Sequence, residues 1–484
     1  MMGLHQPQEE LFSYQVNLEK RVRADHPLRQ IAKAVDFTFV RAEVASRYGR
    51  NGNESVDPAI LMKMMFLLFY DNVASERELM QIIPERLDYL WFLGYGLDDE
   101  IPNHSVLSKA RARWGQEVFQ QLFVRTIEQC VQAGLVGGDK LHVDASLIAA
   151  NASKDSVVKS CPELIAAYAA AYGATEKKLN DPADRPSYEP VNDRMISTTD
   201  PDAGLVSKGG FGSRPAYHHH RAVDDAHGVI TAVETTSGSI AENKKLMDLV
   251  QQHQQNTQCQ PKAVVADHKY GTSENYVACH EQGLVTHLGD AKAKAGKVEG
   301  IFPQSQFKYQ AKEDMFLCPA GQRLRPRRFI QRERVWEYAA DKGVCAQCAL
   351  RVQCTRSRTG RTVWRHEHAE ILEQCRAQAH SMAARRDRSR RQYLIEGSFA
   401  DAANNHGFKR SRWRRLWRQQ IQDYLIAAIQ NLRILLSRTV LKPAASAVIA
   451  LPKAIFFTLV SLVFRLLQTA RYDSRTDPFS TSTR

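Results

Sequence analysis

The chain has 484 residues, too many for one ordinary domain, so about two to four units are expected. Its 43% hydrophobic content excludes a disordered or fibrous chain. Lysine and arginine number 66 against 53 acidic residues, a formal charge of +13, which points to a polyanionic partner, nucleic acid first.

Nine cysteines, an odd number in a long chain, suit a reducing compartment better than a disulfide framework. Met1–Glu10 has neither a basic n-region nor a long apolar run, so no secretory signal is expected and the reading is cytoplasmic.

Residues 1 to about 125 read as helices. Asp57-Pro58 is an N-cap followed by proline at the first helical position, and Ile60, Leu61, Met64, Met65 and Leu68 form an apolar stripe behind it. Ser75-Glu76-Arg77-Glu78 is a capping box that opens a second helix, stopped by Pro84. Two short helices joined by residues 70–74 suggest a helix-turn-helix, and a cap at Asn103-His104-Ser105 leads into a basic helix with Lys109, Arg111 and Arg113.

Residues 139–146 read as a short strand that ends by presenting Asp144: Leu141 and Val143 alternate with His142 and Asp144. A polar stretch to about residue 215 follows, with an alanine-rich helix near 163–173, and reads as a long surface insertion. Residues 217–223 and 229–234 form a hairpin around Asp224-Asp225-Ala226-His227-Gly228, which makes Asp224 and Asp225 turn residues, and His218, His219 and His220 alternate faces and cannot converge on one ion. Ser239 and Glu242 suggest a further capping box and helix. Ala263–Ala266 is a fully apolar strand that ends at Asp267, followed by a capped helix, a stop at Gly283 and a strand over 284–288. Residues 290–384 then turn basic, irregular and cysteine-bearing. Beyond them a helix carries Glu396 beside Phe399, Ala400 and Ala403.

Two strand-end aspartates and a helix-borne glutamate, Asp144, Asp267 and Glu396, are what two divalent cations roughly 4 Å apart require, and all-oxygen ligation favours Mg²⁺ or Mn²⁺. The stretches 142–153 (His-Val-Asp-Ala-Ser-Leu-Ile-Ala-Ala-Asn-Ala-Ser), 265–276 (Val-Ala-Asp-His-Lys-Tyr-Gly-Thr-Ser-Glu-Asn-Tyr) and 396–401 (Glu-Gly-Ser-Phe-Ala-Asp) resemble, in order, the three catalytic blocks of bacterial DDE insertion-sequence transposases. Ile101–Ser105 is similar to an N-terminal block of the same family, and the resemblance extends over about residues 20 to 436.

The resemblance implies an α/β fold: an RNase H-like mixed sheet flanked by helices, with an all-helical N-terminal domain and a cysteine-bearing insertion before the glutamate. It implies a metal-dependent nuclease and strand transferase that binds the ends of an insertion sequence and joins freed 3′-hydroxyls to target DNA. Many relatives carry arginine directly after the glutamate and lysine about seven residues on, where this chain has Gly397 and Ala403. That departure sustains a rival reading, an inactive DNA-binding or regulatory descendant. Double-stranded DNA is the expected partner, the pairing of two ends implies at least a homodimer, and the protein is expected at the nucleoid.

Cys318, Cys345, Cys348 and Cys354 are candidate ligands of a structural Zn²⁺, with His366 or His368 as possible replacements; Cys130, Cys161, Cys259, Cys279 and Cys375 read as packing residues. Lys409, Arg410, Arg412, Arg414 and Arg415, interleaved with Trp413 and Trp417, are candidate DNA contacts, and residues 385–391 offer a second basic run. In the tail, Ala454–Phe464 gives a run of only 11 uncharged residues between Lys453 and Arg465, too few to span a bilayer. The domain expectation is 1–125 helical and DNA-binding, 136–289 catalytic core, 290–384 insertion, 385–436 second part of the core and 437–484 tail.

Overall fold

A computed structural model of the protein describes residues 16–49, 54–159, 195–208, 211–290, 300–341 and 343–439, with a few helical positions between 163 and 171. The expected alanine-rich helix lies largely outside the described residues, as do Cys161 and the apolar stretch 454–464. Residues up to Leu432 form one compact unit and Arg433–Arg484 a second. Among the described residues no helix is long and apolar enough to cross a membrane.

Five strands organise the first unit: β1 (Lys140–Ala149), β2 (Phe211–Asp224), β3 (Ile230–Ser237), β4 (Ala263–Ala266) and β5 (Val285–Leu288). Their spatial order is β3-β2-β1-β4-β5, with β2 antiparallel to both neighbours and β1, β4 and β5 parallel; a short strand, Gly204–Lys208, extends the edge beside the start of β2. This is the RNase H-like mixed sheet. The composition explains the split, because Ala263–Ala266 is apolar throughout and buried throughout, as a parallel strand covered on both faces must be. The β2–β3 hairpin turns at Asp225–Gly228, where Gly228 takes φ +78.

One face of the sheet meets the helices Leu246–Thr257, Ser273–Glu281 and Ala369–Ala379, whose Leu249, Tyr276 and Leu372 join Leu141, Val143 and Val264 in one core. Across the β2–β3 half lies the part of the helix Leu416–Thr439 that belongs to the first unit, residues 416–432, attached through a buried polar seam. Arg221 donates to Gln430 (2.9 Å) and to Ser398 Oγ (2.6 Å), and its Nε donates to His219 Nε2 (3.1 Å). His219 Nδ1 stands 2.9 Å from Asp423, which also accepts from Thr235 and Gln419. Burial pushes the His219 imidazole down and the Arg221 guanidinium to about 10. The three histidines do alternate: His218 bonds Ile240 O and His220 bonds Thr236 Oγ1 on the opposite side from His219.

The N-terminal helices form as their caps require. Asp57 accepts from Ala59 N, Ser75 Oγ from Glu78 N, and Glu78 reaches back to Ala74 N. The helix Pro58–Tyr70 is buried nearly all round, and the pair with Glu76–Ile82 presents Arg77, Glu78 and Gln81 to solvent, a mixed rather than a basic face. The basic helix Ser105–Trp114 is likewise less exposed than its charges suggest: Arg111 is buried, ion-paired with Glu76 and set 3.8 Å from the Trp413 ring. Ser239 and Glu242 do not cap a helix; a 3₁₀ turn, Glu242–Lys245, precedes it, and Glu242 accepts from Lys269 at 2.8 Å.

The insertion is a second sheet of five antiparallel strands in sequence order, β6 (Lys308–Gln310), β7 (Met315–Leu317), β8 (Arg323–Ile330), β9 (Val335–Ala339) and β10 (Thr362–His366). Phe307, Phe316, Leu324, Tyr338 and Val363 form its own small core.

Candidate active site

Asp144 lies within β1 rather than at its end, because β1 runs on to Ala149 against the long β2. Its parallel neighbour β4 stops at Ala266. The β1–β4 register pairs Lys140, Leu141 and His142 with Ala263, Val264 and Val265. That pairing ends at His142 and Val265, two residues short of Asp144 and of Asp267, and Asp144 feels the charge of Asp267. Both side chains are partly open, 19% and 22% exposed. Burial pushes the Asp144 carboxyl up, Arg391 pulls it down through a 2.6 Å ion pair, and the charge of Asp267 adds to the rise. Asp267 accepts from Lys269 N at 2.9 Å, which fixes the turn after β4.

Glu396 arrives on the helix that runs from Met382 to His406, whose middle, Gln392–Glu396, widens into a π-helical turn packed against β1. Glu396 is exposed and stands one such turn after Arg391, the residue that touches Asp144. The rest of the helix is pinned at both ends. Asp387 accepts from Lys140 (2.9 Å) and His287 (2.6 Å), while Ser398 and Asp401 bond Gln430. A side chain at Gly397 would meet open space, so the glycine is not required by packing.

Among the described residues no three His, Cys, Asp or Glu side chains are grouped, as they stand, to hold a metal ion. The carboxylate pair is nonetheless a hard-oxygen donor set suited to a divalent cation.

Asp224 and Asp225, expected as plain turn residues, are more than that. Asp224 is fully buried and accepts from Gly137, Gly138 and Ala226 N, clamping the entry to β1. Asp225 accepts from His142 Nε2 (2.7 Å) and Arg390 Nε (2.6 Å) and so ties β1 to the glutamate helix. Turn composition hid both roles, since a turn aspartate carries the same local signature whether or not a distant loop folds onto it.

The basic run 409–418 divides. Lys409 donates to Ser146 Oγ at 2.7 Å, two residues along β1 from Asp144, and Lys409, Arg410 and Arg414 are exposed. Arg412 turns inward onto Val73 O, Leu68 O and Asn72 Oδ1, and burial pushes its guanidinium down to about 10. Arg415, at φ +84, is buried against Asp202 at 3.0 Å, and its backbone N–H donates to Asp200. The expectation of DNA contact by Arg412 and Arg415 is therefore corrected: both hold the molecule together. Trp413 packs edge-on against Phe69. Of the second run, Arg388 donates to Ala379 O, Arg390 and Arg391 have acidic partners, and Arg385 and Arg386 are exposed. Asp200 and Asp202, not singled out in the sequence, end a polar stretch that offers no signal of burial.

The four candidate zinc cysteines line one cavity of about 30 Å³ beneath the second sheet. Burial pushes the Cys354 thiol up, Arg361 pulls it down, and Cys318, Cys345 and Cys348 add to the rise. Cys318 accepts a hydrogen bond from Gln322 N at 3.3 Å across a turn closed by Gly321. Gly360, at φ +101, passes so close that a Cβ would lie 3.0 Å from the Cys345 sulfur. His366 and His368 face each other beyond β10 instead. Cys130, Cys279 and Cys375 are buried as packing residues.

The fold is an RNase H-like mixed sheet, with Asp144 on one of its central parallel strands and Asp267 just after its neighbour. Two family models match the chain: a transposase domain (DUF772) over residues 16–113 and a transposase DDE domain over residues 317–436. Both matched descriptions are of transposase domains, which supports a DDE-type transposase. Such a domain implies nuclease and transferase chemistry in general. The crystal structure of the Mos1 mariner paired end complex with Mn aligns at 10% identity and a TM-score of 0.15, covering 56% of this chain and 70% of that one. No curated protein matches.

Proposed function

We propose that the protein binds the ends of an insertion sequence, cleaves phosphodiesters there and transfers the freed 3′-hydroxyls to target DNA, with Asp144, Asp267 and Glu396 as the catalytic carboxylates. The observation that supports the reading is the parallel pairing of β1 with β4, which leads towards Asp144 and Asp267, near enough for the charge of Asp267 to raise the Asp144 carboxyl. Asp144, Asp267 and Glu396 would hold two divalent cations, Mg²⁺ or Mn²⁺. Ions bound there polarise the scissile phosphate and the attacking oxygen. The chain's own residues do the positioning: Asp387 and Gln430 fix the glutamate helix, and Arg391 orients Asp144 by a charge-assisted bond. Lys409, beside Ser146, and the exposed Arg410 and Arg414 offer cations to the DNA backbone next to the carboxylates.

The N-terminal helical region supplies a second DNA contact in this reading, and two chains pair two ends, at the nucleoid in the cytoplasm. Cys318, Cys345, Cys348 and Cys354 hold a structural Zn²⁺; the shared cavity and the backbone N–H aimed at the Cys318 sulfur support it. One zinc per chain by elemental analysis is the expected content, and active protein without zinc removes the site.

The decisive experiment incubates purified protein with labelled element ends and Mg²⁺. Joined products are expected. Cleavage without joining reduces the protein to a nuclease, and shifted but intact DNA favours the inactive descendant suggested by Ala403.

A further inference from the structure

The second sheet has two unlike faces, and the pairing registers assign the paired residues to one or the other. Tyr309 opposite Phe316, Phe316 opposite Leu324 and Tyr338 opposite Val363 point to the covered side, where they build the small core. The alternate positions point away from it: Lys308 opposite Leu317, Leu317 opposite Arg323, Arg325 opposite Ala339, and Arg328 opposite Glu337, which is itself opposite Trp364.

This outward face is exposed at Lys308, Arg323, Arg325, Arg328 and Trp364, and Arg327, also exposed, sits unpaired beside it at the irregularity between Pro326 and Arg328. The acid on the face, Glu337, is nearly buried and is matched by Arg328 at 3.0 Å. Among the described residues no acidic partner faces Lys308, Arg323, Arg325 or Arg327. Arginines two apart on one strand, flanked by a lysine two strands away, make a plane of uncompensated positive charge. Solvated charges of one sign on a helix can be scattered by its turn; on a sheet they are held in rows.

We propose that this face is a docking surface for double-stranded DNA, engaged through its phosphates, separate from the residues that surround the carboxylates. It rests on the transposase reading and adds to it where the insertion acts: along duplex away from the cleavage point. Charge complementarity selects the partner. Four unmatched cations suit an unbroken row of phosphates, whereas a single-stranded occupant calls for successive aromatic platforms, and among the described residues Trp364 is the one Phe, Tyr or Trp that these registers put on the face. The flat sheet cannot enter a groove as a helix does, so the contact is to the backbone and indifferent to sequence.

The test uses the full chain and a labelled duplex of arbitrary sequence, titrated between about 50 and 200 mM salt. Replacing Lys308, Arg323, Arg325 and Arg327 together with glutamine is expected to lower the slope of log affinity against log salt by about three to four units. Each of Arg323→Gln and Arg325→Gln alone is expected to lower it by about one, so the proposal stays testable if the fourfold variant melts early. An unchanged slope in natively folded variants overturns the inference while leaving the transposase reading intact; a parent chain that binds no DNA overturns both. Loss of affinity for a single strand alone, reproduced by Trp364→Ala, replaces the duplex with a single-stranded occupant and also overturns it.

Discussion

The two sheets solve opposite problems with similar residues. In the central sheet nearly every charge is answered from within: Arg221 by Gln430 and Ser398, Asp387 by Lys140 and His287, Arg415 by Asp202. Asp144 and Asp267 are a pair of acids near enough for one charge to raise the other. The insertion sheet has a core of five buried side chains, a cluster of cysteines under it and a row of unmatched cations above. Charge answered inside a fold gives rigidity, and charge left unanswered at an accessible edge gives binding or chemistry. The contrast is open to attack on either side.

The largest effect is expected at the acids proposed as catalytic. Asp144→Asn, Asp267→Asn and Glu396→Gln should each lower cleavage by about 10³-fold or more, since several kcal/mol of charge stabilisation goes with each ligand. DNA binding, measured by mobility shift, should stay near normal. A variant that cleaves at the parent rate removes that residue from the set.

Next comes an answered charge. Arg415→Ala leaves the Asp202 carboxylate, whose side chain is 6% exposed, without its guanidinium and should cost about 3 to 5 kcal/mol in denaturant unfolding. The exposed neighbour Arg414→Ala should change stability by about 0.5 kcal/mol or less while flattening the salt dependence of DNA binding. Equal stability effects at 414 and 415 would erase the distinction between inward and outward charge.

Cys348→Ser should release zinc and expose the amides of residues 308–366 to hydrogen exchange, with the central sheet protected as before. Simultaneous loss of protection in both sheets would mean that they fold as one.

The smallest effect is a pH dependence. Burial raises Asp200 to about 7, so the unfolded chain sheds that proton first, and stability should fall as pH climbs from about 4 towards 7. Asp200→Asn should flatten the dependence in that window. His253, pushed down to about 4 by burial, works the other way: its contribution is complete above about 6.5 and is lost as pH falls towards 4. Comparing variant with parent at each pH separates the two.

Much of this was legible in the chain itself. Alternation around Leu141 and Val143 and the apolar run Ala263–Ala266 located the two central strands, and with them Asp144 and Asp267, because buried strands leave a periodicity of their own. The caps at Asp57 and Ser75 were equally plain, being contacts between near neighbours. What escaped was long-range. Arg412 and Arg415 look the same as Arg414 in a basic run, and only the turn at Arg415 and the arrival of Asn72, Val73 and Asp202 from far along the chain draw them inside. Asp224 was concealed for the same reason: its three donors include two glycines more than eighty residues earlier.

The helix that begins at Leu416 also has a bearing on how the protein is made. The outer edge of the central sheet is finished by that helix: Gln420 accepts from Thr235 N, and Asn431 both accepts from Ile230 N and donates to Ile230 O. On the ribosome β3 emerges well over a hundred residues before those side chains exist, an interval of roughly ten seconds or more at ordinary elongation rates. Throughout it Arg221 and His219 lack their buried partners and the strand edge stands open to other nascent chains. A message cut short before codon 416 would therefore yield a sticky, short-lived fragment rather than a working half, so that translation must run past Asn431 before the sheet can close.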